Sequence, residues 1–122
     1  EWMNEGWNIS DSIYLSKELE KLGVDAIHVS SGGNLEKTNK TPKIEALYQS
    51  NWAKQIKKEI NIPVIAVGLI TTAIEGKKLL EEKYCDFVAY GRELLRSPNF
   101  AFYAASEFKE KDKINSSYQR AF

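Results

Sequence analysis

Three short apolar segments, each followed by a stretch with helical periodicity, limit the fold of this chain more than any other feature. They are VDAIHVSSGG at residues 24–33, IPVIAVG at 62–68 and DFVAYG at 86–91. The second is a continuous apolar run rich in β-branched residues, which is typical of a parallel strand covered on both faces. Because strands that alternate with helices connect through right-handed crossovers, the sequence predicts an α/β fold with a parallel sheet.

The first two helices are predicted from apolar spacing and from the residues at their ends. Residues 11–22 carry a leucine face with helical spacing: Leu15, Leu19 and Leu22. Ser10 is the predicted N-cap of this helix, and Gly23 follows it where a left-handed residue commonly ends a helix. A second helix is predicted near residues 50–60, with Ser50 as its cap. The face of this helix toward the sheet has i, i+4, i+8 spacing: Trp52, Ile56 and Ile60.

Two further helices follow the second and third strands. Thr72 and Glu75 have the spacing of a capping box and are predicted to open the third helix. Ser97 is the predicted N-cap of the last long helix, with Pro98 at its first position. The predicted order of elements is therefore α-β-α-β-α-β-α.

Three strands are few for a complete α/β domain. The chain has 122 residues, whereas a closed eight-stranded barrel needs about 250. Residues 1–122 are therefore predicted to be a single partial domain, the C-terminal sector of a barrel and incomplete as a barrel. A small three-stranded doubly wound sheet is the alternative, although sheets usually have about four to six strands. The opening EWMNEGWNIS begins on Glu1 and supplies no strand, which we interpret as a first indication of a fragment.

Charge and cysteine content exclude several classes of function. Lys+Arg and Asp+Glu are both 17, so nothing in the charge balance predicts nucleic acid or an anionic membrane as a partner. No apolar run approaches the roughly 18 residues that span a bilayer. Cys85 is the single cysteine, so a reducing, cytoplasmic compartment is expected. His28, the single histidine, lies inside the first predicted strand and is interpreted as a hydrogen-bonded core residue.

Each predicted strand ends in glycine, and the third continues into Gly91-Arg92. In parallel α/β folds the carboxyl ends of the strands form one edge, and ligands bind there. Glycine lets backbone N–H groups approach a ligand, and arginine adds a charged fork suited to phosphate. The pattern predicts a phosphate site at Gly68, Gly91 and Arg92. Two alternatives remain: the glycines serve the turns for steric reasons alone, or Arg92 pairs with Glu93.

Four segments in this order resemble the C-terminal part of the old yellow enzyme family. They are GVDAIHVSSGG, IPVIAVGLITT, CDFVAYGRELLRSPNF and the terminal YQRAF. The match covers nearly the whole chain, is closest to the bacterial branch of NADPH dehydrogenase or 2-enoate reductase type, and is most specific in GRELLRSP. Members are FMN-dependent flavin oxidoreductases that use NAD(P)H and fold as (β/α)₈ TIM barrels. The resemblance implies that the strands here are the sixth, seventh and eighth of such a barrel.

The resemblance also assigns roles to residues. The FMN phosphate would be held by three of them: Gly68, Gly91 and Arg92. Ser31 and Gly32 match the loop that lies near the cofactor at the end of the sixth strand. Arg120 resembles a C-terminal arginine that enters the active site of a neighbouring subunit, although Ala121-Phe122 stand where Gly-Trp is frequent. A homo-oligomer, or association with the missing part of the barrel, is the expected assembly.

The functional expectation is that this chain forms part of an enzyme but is not competent alone. By resemblance, hydride would pass from NAD(P)H through FMN to an electron-poor alkene. The family's paired substrate-binding residues and its proton-donating tyrosine have no match here, so the isolated chain is predicted to be inactive. Two alternatives remain open: a non-catalytic, self-associating α/β module, and part of another phosphate-binding TIM-barrel enzyme.

Overall fold

The fold is described by a computed structural model that covers residues 1–122. The helices and strands are, in chain order, α1 (Ile9–Lys21), β1 (Ile27–Val29), α2 (Ser50–Lys57), β2 (Val64–Ala66), α3 (Ala73–Glu81), β3 (Phe87–Val88), α4 (Arg92–Arg96) and α5 (Phe100–Glu107). Two 3₁₀ turns follow, at Lys111–Lys113 and Gln119–Ala121. The chain divides into two compact units, which we call the first unit (Glu1–Tyr90) and the second unit (Gly91–Phe122).

The sheet of the first unit has the order β1-β2-β3, and both pairs of neighbours are parallel. This confirms the predicted α/β class. Side chains alternate between the faces of the sheet, so that Val29, Val64 and Ala66 are buried in the core. Ile65 lies opposite both His28 and Phe87 in the register, and these two are exposed. The interpretation of His28 as a core residue was therefore wrong.

Helix α1 begins earlier than its leucine pattern indicated. Its N-cap is Asn8, whose side-chain oxygen accepts a hydrogen bond from Ser10 N at 2.8 Å, while Asp11 Oδ2 accepts one from Asn8 N at 2.9 Å. Ser10 as the N-cap was wrong because Asn8 forms a complete capping box one turn ahead of Asp11. Gly23 has φ +85° just after the helix, as predicted.

The buried face of α1 is not its leucine face. Leu15 and Leu22 are exposed, whereas Ser16 is buried and Ile9 and Ile13 pack against the core. Ser16 can be buried because its hydroxyl donates to the backbone oxygen of Ser12 at 2.7 Å. Two isoleucines and a small hydroxyl residue therefore form the buried face of α1, while Leu15 and Leu22 remain in solvent.

Helix α3 opens with the predicted capping box. Thr72 Oγ1 accepts from Glu75 N at 3.1 Å, and Glu75 Oε2 accepts from the backbone N–H groups of Thr71 and Thr72 at 2.8 and 3.0 Å. The hydrogen bond from the Thr71 backbone holds the pKa of Glu75 below its ordinary value. The box satisfies N–H groups at the helix start and fixes the direction in which α3 leaves β2.

Asp86 links the start of β3 to β2 and to α2. Its carboxylate accepts from Val64 N at 2.9 Å and pairs with the ammonium of Lys57. Partial burial acts to raise the pKa of Asp86, but the hydrogen bonds from Lys57 and Val64 outweigh it and the pKa lies below its ordinary value. A lowered pKa stabilises the fold above the unfolded-state value of about 3.9, and this contribution disappears as the pH falls through the folded-state value.

We therefore expect Asp86→Asn to lower the free energy of unfolding at pH 7 by about 1 kcal/mol, because the charge-assisted bonds weaken and solvent already screens part of the Lys57 pair. Urea unfolding at pH 7 and at pH 3 measures this difference. The variant should lose less stability on acidification than the parent chain. Asp25→Asn, at an exposed site in the same unit, is the control; equal losses in both variants would contradict this account.

The second unit contains two helices where one was predicted. Ser97 follows α4, and Asn99 precedes α5 without a side-chain capping bond, so Ser97 as the N-cap of the last helix was wrong. The local sequence favours an early helix because Arg96 donates to Glu93 Oε2 one turn away. Aromatic rings hold α5 to the terminus, with Phe102 lying 5.5 Å from Tyr118 and 5.3 Å from Phe122 between ring centroids.

Candidate functional site

The loop after β1 turns at a glycine that no other residue could replace without movement. Gly32 has φ +68°, and a Cβ there would lie 2.0 Å from the ring of Trp2. The indole N–H of Trp2 donates to Ser31 Oγ at 3.1 Å. Trp2 thus covers Ser31 and Gly32, the two residues that the resemblance placed near the cofactor.

The loop after β2 turns at Gly68, which is buried and has φ +123°. The next residue, Leu69, is also left-handed at φ +49°. A Cβ on Gly68 would lie 2.8 Å from Gln49 Cγ. Glycine is therefore required here both for its backbone conformation and for the space that its neighbour occupies.

Gln49 joins these two loops, and sequence analysis missed it. Its side-chain oxygen accepts from Ser31 N at 2.5 Å, and its side-chain nitrogen donates to Tyr48 Oη at 2.8 Å. Gln49 stands at the N-cap of α2 but makes no side-chain capping bond there. Ser50, the predicted cap, instead donates through Oγ to the carbonyl of Leu47. The only local signal was a polar residue directly before the helix, which does not reveal a partner 18 positions away.

A cavity of about 580 Å³ adjoins this end of β1 within the first unit. Its walls include three tryptophans and the β1 loop: Trp2, Trp7, Trp52, Ser31 and Gly32. Lys40 also lines it and brings a positive charge. The loop that carries two predicted site residues therefore borders space in which a small molecule fits.

Two other titratable side chains of the first unit are held in the interior. Cys85 is buried, and burial raises the pKa of its thiol. This confirms that it behaves as a small buried hydrophobe rather than as a nucleophile. Burial also raises the pKa of Tyr90, whose hydroxyl donates to the carbonyl of Thr72 at 3.3 Å. Burial therefore favours the neutral, protonated form of both groups.

Gly91 and Arg92 begin the second unit. A Cβ on Gly91 would meet no atom within 4 Å, so its backbone is open. Arg92 is exposed and forms no salt bridge, because Glu93 pairs with Arg96 at 2.6 Å. The alternative that Arg92 pairs with Glu93 is therefore not what the structure contains. An open backbone beside an unpaired guanidinium is suited to an anion such as phosphate.

The predicted site residues thus fall into separate groups. Gln49 and Trp2 bring Ser31, Gly32 and Gly68 together in the first unit. Gly91 and Arg92 are neighbours in the second unit. Arg120 lies in the exposed 3₁₀ turn Gln119–Ala121. That the amides of the two strand-end glycines share one phosphate stays a prediction.

The structure contains neither a helix long and apolar enough to cross a membrane nor a group of three or more His, Cys, Asp or Glu placed to hold a metal ion. The groups available at the strand ends are backbone amides, hydroxyls and guanidinium. These groups bind and orient anions.

Comparison with known proteins agrees with the family resemblance of the sequence segments. A sequence model of the family described as "NADH:flavin oxidoreductase / NADH oxidase family" matches residues 1–111. The chain is 34% identical over 120 residues to an NADPH dehydrogenase of Geobacillus sp. (strain WCH70), covering 97% of this chain and 34% of that protein. It is 34% identical over 123 residues to an NADPH dehydrogenase of Bacillus pumilus (strain SAFR-032), covering 100% of this chain and 35% of that protein. The chain therefore spans about a third of the length of these curated relatives.

Proposed function

Because the chain belongs to the NADH:flavin oxidoreductase / NADH oxidase family, we propose that it supplies the FMN-phosphate site of an FMN-dependent NAD(P)H oxidoreductase. The parallel order β1-β2-β3 agrees with a sector of the barrel that the resemblance implied. Bound FMN would supply hydride transfer from NAD(P)H to an activated alkene. The chain's own residues bind and orient this cofactor. Turnover would need the substrate-binding groups that this chain lacks, so we expect the isolated chain to be inactive.

The observation that carries this proposal is the open Gly91 backbone beside the unpaired Arg92. A phosphate is held best by charge-assisted hydrogen bonds from a guanidinium together with backbone N–H groups. Arg92 would provide the fixed charge, and Gly91 would let the phosphate approach the backbone without a Cβ in the way. Arg96, one turn later, is already neutralised by Glu93.

In the first unit, we propose that Ser31, Gly32 and Gly68 are cofactor contacts. The two glycines have left-handed backbones at the ends of adjacent strands. Such turns present backbone N–H groups on a concave surface that suits anionic or polar ligand atoms. We also propose a reducing, cytoplasmic location, with which the free thiol of Cys85 is compatible.

The test is a titration of FMN with the purified chain, followed by flavin fluorescence. Wild-type protein should bind FMN, and Arg92→Ala should raise Kd about tenfold or more, since a charge-assisted bond contributes about 1.5–3 kcal/mol. Arg96→Ala removes the same charge from the same helix and is the matched control, with Kd expected to stay within about twofold. Riboflavin, which lacks the phosphate, should bind both variants equally.

Three outcomes would contradict the proposal. The first is a wild-type chain that binds neither flavin, and the second is equal weakening by the two arginine substitutions. The third is loss of riboflavin affinity in parallel with FMN affinity. The first would mean that the chain forms no flavin site, and the second and third would mean that Arg92 does not recognise the phosphate group.

A second candidate function is self-association, which the edges of the sheet favour. β1 and β3 each pair on one side only, and Phe87 on β3 is exposed. We propose that these edges are covered in an oligomer, and that Arg120 reaches a neighbouring subunit's substrate site there. Size-exclusion chromatography with light scattering tests this assembly. A single monomeric species at all concentrations would rule it out.

A further inference from the structure

Gln49 is a nearly buried amide, 5% exposed, that lies between the loops after β1 and β2. A buried polar side chain is costly unless both its donor and its acceptor are satisfied. Gln49 meets this condition through Ser31 and Tyr48 rather than through the helix that it precedes. Its side chain also occupies the space beside Gly68 that a Cβ would need.

The orientation of the amide follows from its partners. Ser31 N–H can only donate, so the atom that faces it must be the oxygen of Gln49. The NH₂ group is then directed to Tyr48 Oη, which can accept. A leucine of similar size would fill the volume but satisfy neither partner.

The contacts form a closed cycle of four residues: Ser31, Gln49, Tyr48 and Trp2. Gln49 holds the backbone of Ser31, and Trp2 holds its hydroxyl. Tyr48, bonded to Gln49, meets the indole of Trp2 edge-on with ring centroids 6.4 Å apart. Ser31 is therefore fixed through both its main chain and its side chain, and Gly32 is placed beside it.

We propose that Gln49 is a positioning residue that fixes the Ser31–Gly32 loop against the Gly68 turn. As far as the cofactor is concerned, this rests on the proposed function, because these three residues are the proposed FMN contacts of the first unit. A displacement of about 1 Å at such a loop is enough to weaken binding and alignment of a ligand. Gln49 acts through the backbones that it holds and does not itself touch the cofactor.

The test is amide hydrogen exchange by NMR on the full chain, without flavin, for wild type and Gln49→Leu. The Ser31 amide should exchange at least tenfold faster in the variant, and the Gly68 resonance should shift. The amides of Val64 and Ala66 in β2 should keep their protection. Gln49→Glu keeps an oxygen that accepts from Ser31 N and another that accepts from Tyr48 Oη, and it should restore slow exchange at Ser31.

Gln55→Leu is the matched control and should change none of these signals, because the Gln55 amide donates to the Asn51 carbonyl within α2. Unchanged Ser31 exchange in Gln49→Leu, or equal effects of Gln55→Leu, would overturn the proposal. General loss of protection in β2 would overturn it too, because Gln49 would then support the core and not the loop.

FMN affinity is the second measurement. A protein that binds FMN should lose at least fivefold in affinity with Gln49→Leu, and unchanged affinity would overturn the positioning role. Absence of FMN binding by the wild-type chain would overturn only the proposed function, since the exchange experiment requires no flavin.

Discussion

Gly68→Ala is expected to lower the free energy of unfolding by about 2–6 kcal/mol. A non-glycine residue at φ +123° carries backbone strain of about 1–3 kcal/mol. The new methyl would also lie 2.8 Å from Gln49 Cγ, and forcing an added group into a packed site costs about 1–3 kcal/mol more. Urea unfolding followed by circular dichroism measures the change. The loss is a large part of the roughly 5–15 kcal/mol that holds a typical domain folded.

Gly33→Ala is the control for this substitution. Gly33 is also left-handed, at φ +76°, but a Cβ there would meet no atom within 4 Å. Alanine at this position should lower the free energy of unfolding only through backbone strain, by about 1–2 kcal/mol. Adding Gln49→Ala to Gly68→Ala removes Gln49 Cγ, the nearest atom at 2.8 Å, and leaves Gln49 Cβ at 3.0 Å. The clash is thereby reduced, so the summed losses of the two single variants should exceed the loss of the double variant. Equal losses for Gly68→Ala and Gly33→Ala would show that the contact with Gln49 does not matter.

Leu79→Ala is expected to lower the free energy of unfolding by about 2–5 kcal/mol, the usual range when truncation of a buried leucine leaves a cavity. Leu79 is 2% exposed and belongs to the core cluster under α3. Because β2 and α2 contribute to the same cluster, the packing around it cannot easily collapse to fill the lost volume. The midpoint of urea unfolding should fall, with the slope nearly unchanged.

Leu80→Ala is the matched control, since Leu80 is the next residue of the same helix and is 43% exposed. It should cost less than about 1 kcal/mol. Both substitutions change helix propensity equally, so the difference between them isolates burial. Similar losses in the two variants would mean that α3 does not present Leu79 to the core.

Features with a local cause were predicted correctly from the sequence. The capping box of Thr72 and Glu75 and the left-handed Gly23 each depend on residues within one helical turn. The apolar run before Gly68 indicated a buried strand, and β2 lies inside it. Hydrophobic periodicity and helix capping depend on residues that are close together in the chain, so both can be recognised in a single sequence.

Features with a tertiary cause were not predictable in the same way. The leucine face of α1 had helical spacing, but α1 packs through Ile9 and Ile13 because the contact with α2 decides which face is buried. Ser10 lies two residues after Asn8, whose side chain caps α1, whereas α5 begins after Asn99 without any side-chain capping bond. Serine and asparagine cap helices about equally well, so propensity alone does not choose between Ser10 and Asn8.

The candidate site shows the same division. Glycine at the strand ends predicted an open backbone, and Gly91 has one, whereas the space beside Gly68 is filled by Gln49. Gln49 comes from an irregular segment whose position no periodicity determines. Its link to Ser31 depends on the start of α2 lying beside the end of β1, which is a result of the tertiary fold.

Cys85 carries the single thiol of the chain and is enclosed among the core residues, so the reactivity of this thiol reports how often the core opens to solvent. An alkylating reagent can reach that sulfur only when the surrounding packing separates, so the rate of labelling counts such events in the native state. Because the chain has no second cysteine, every modified molecule reports the same location, and mass spectrometry can time these openings without an introduced probe.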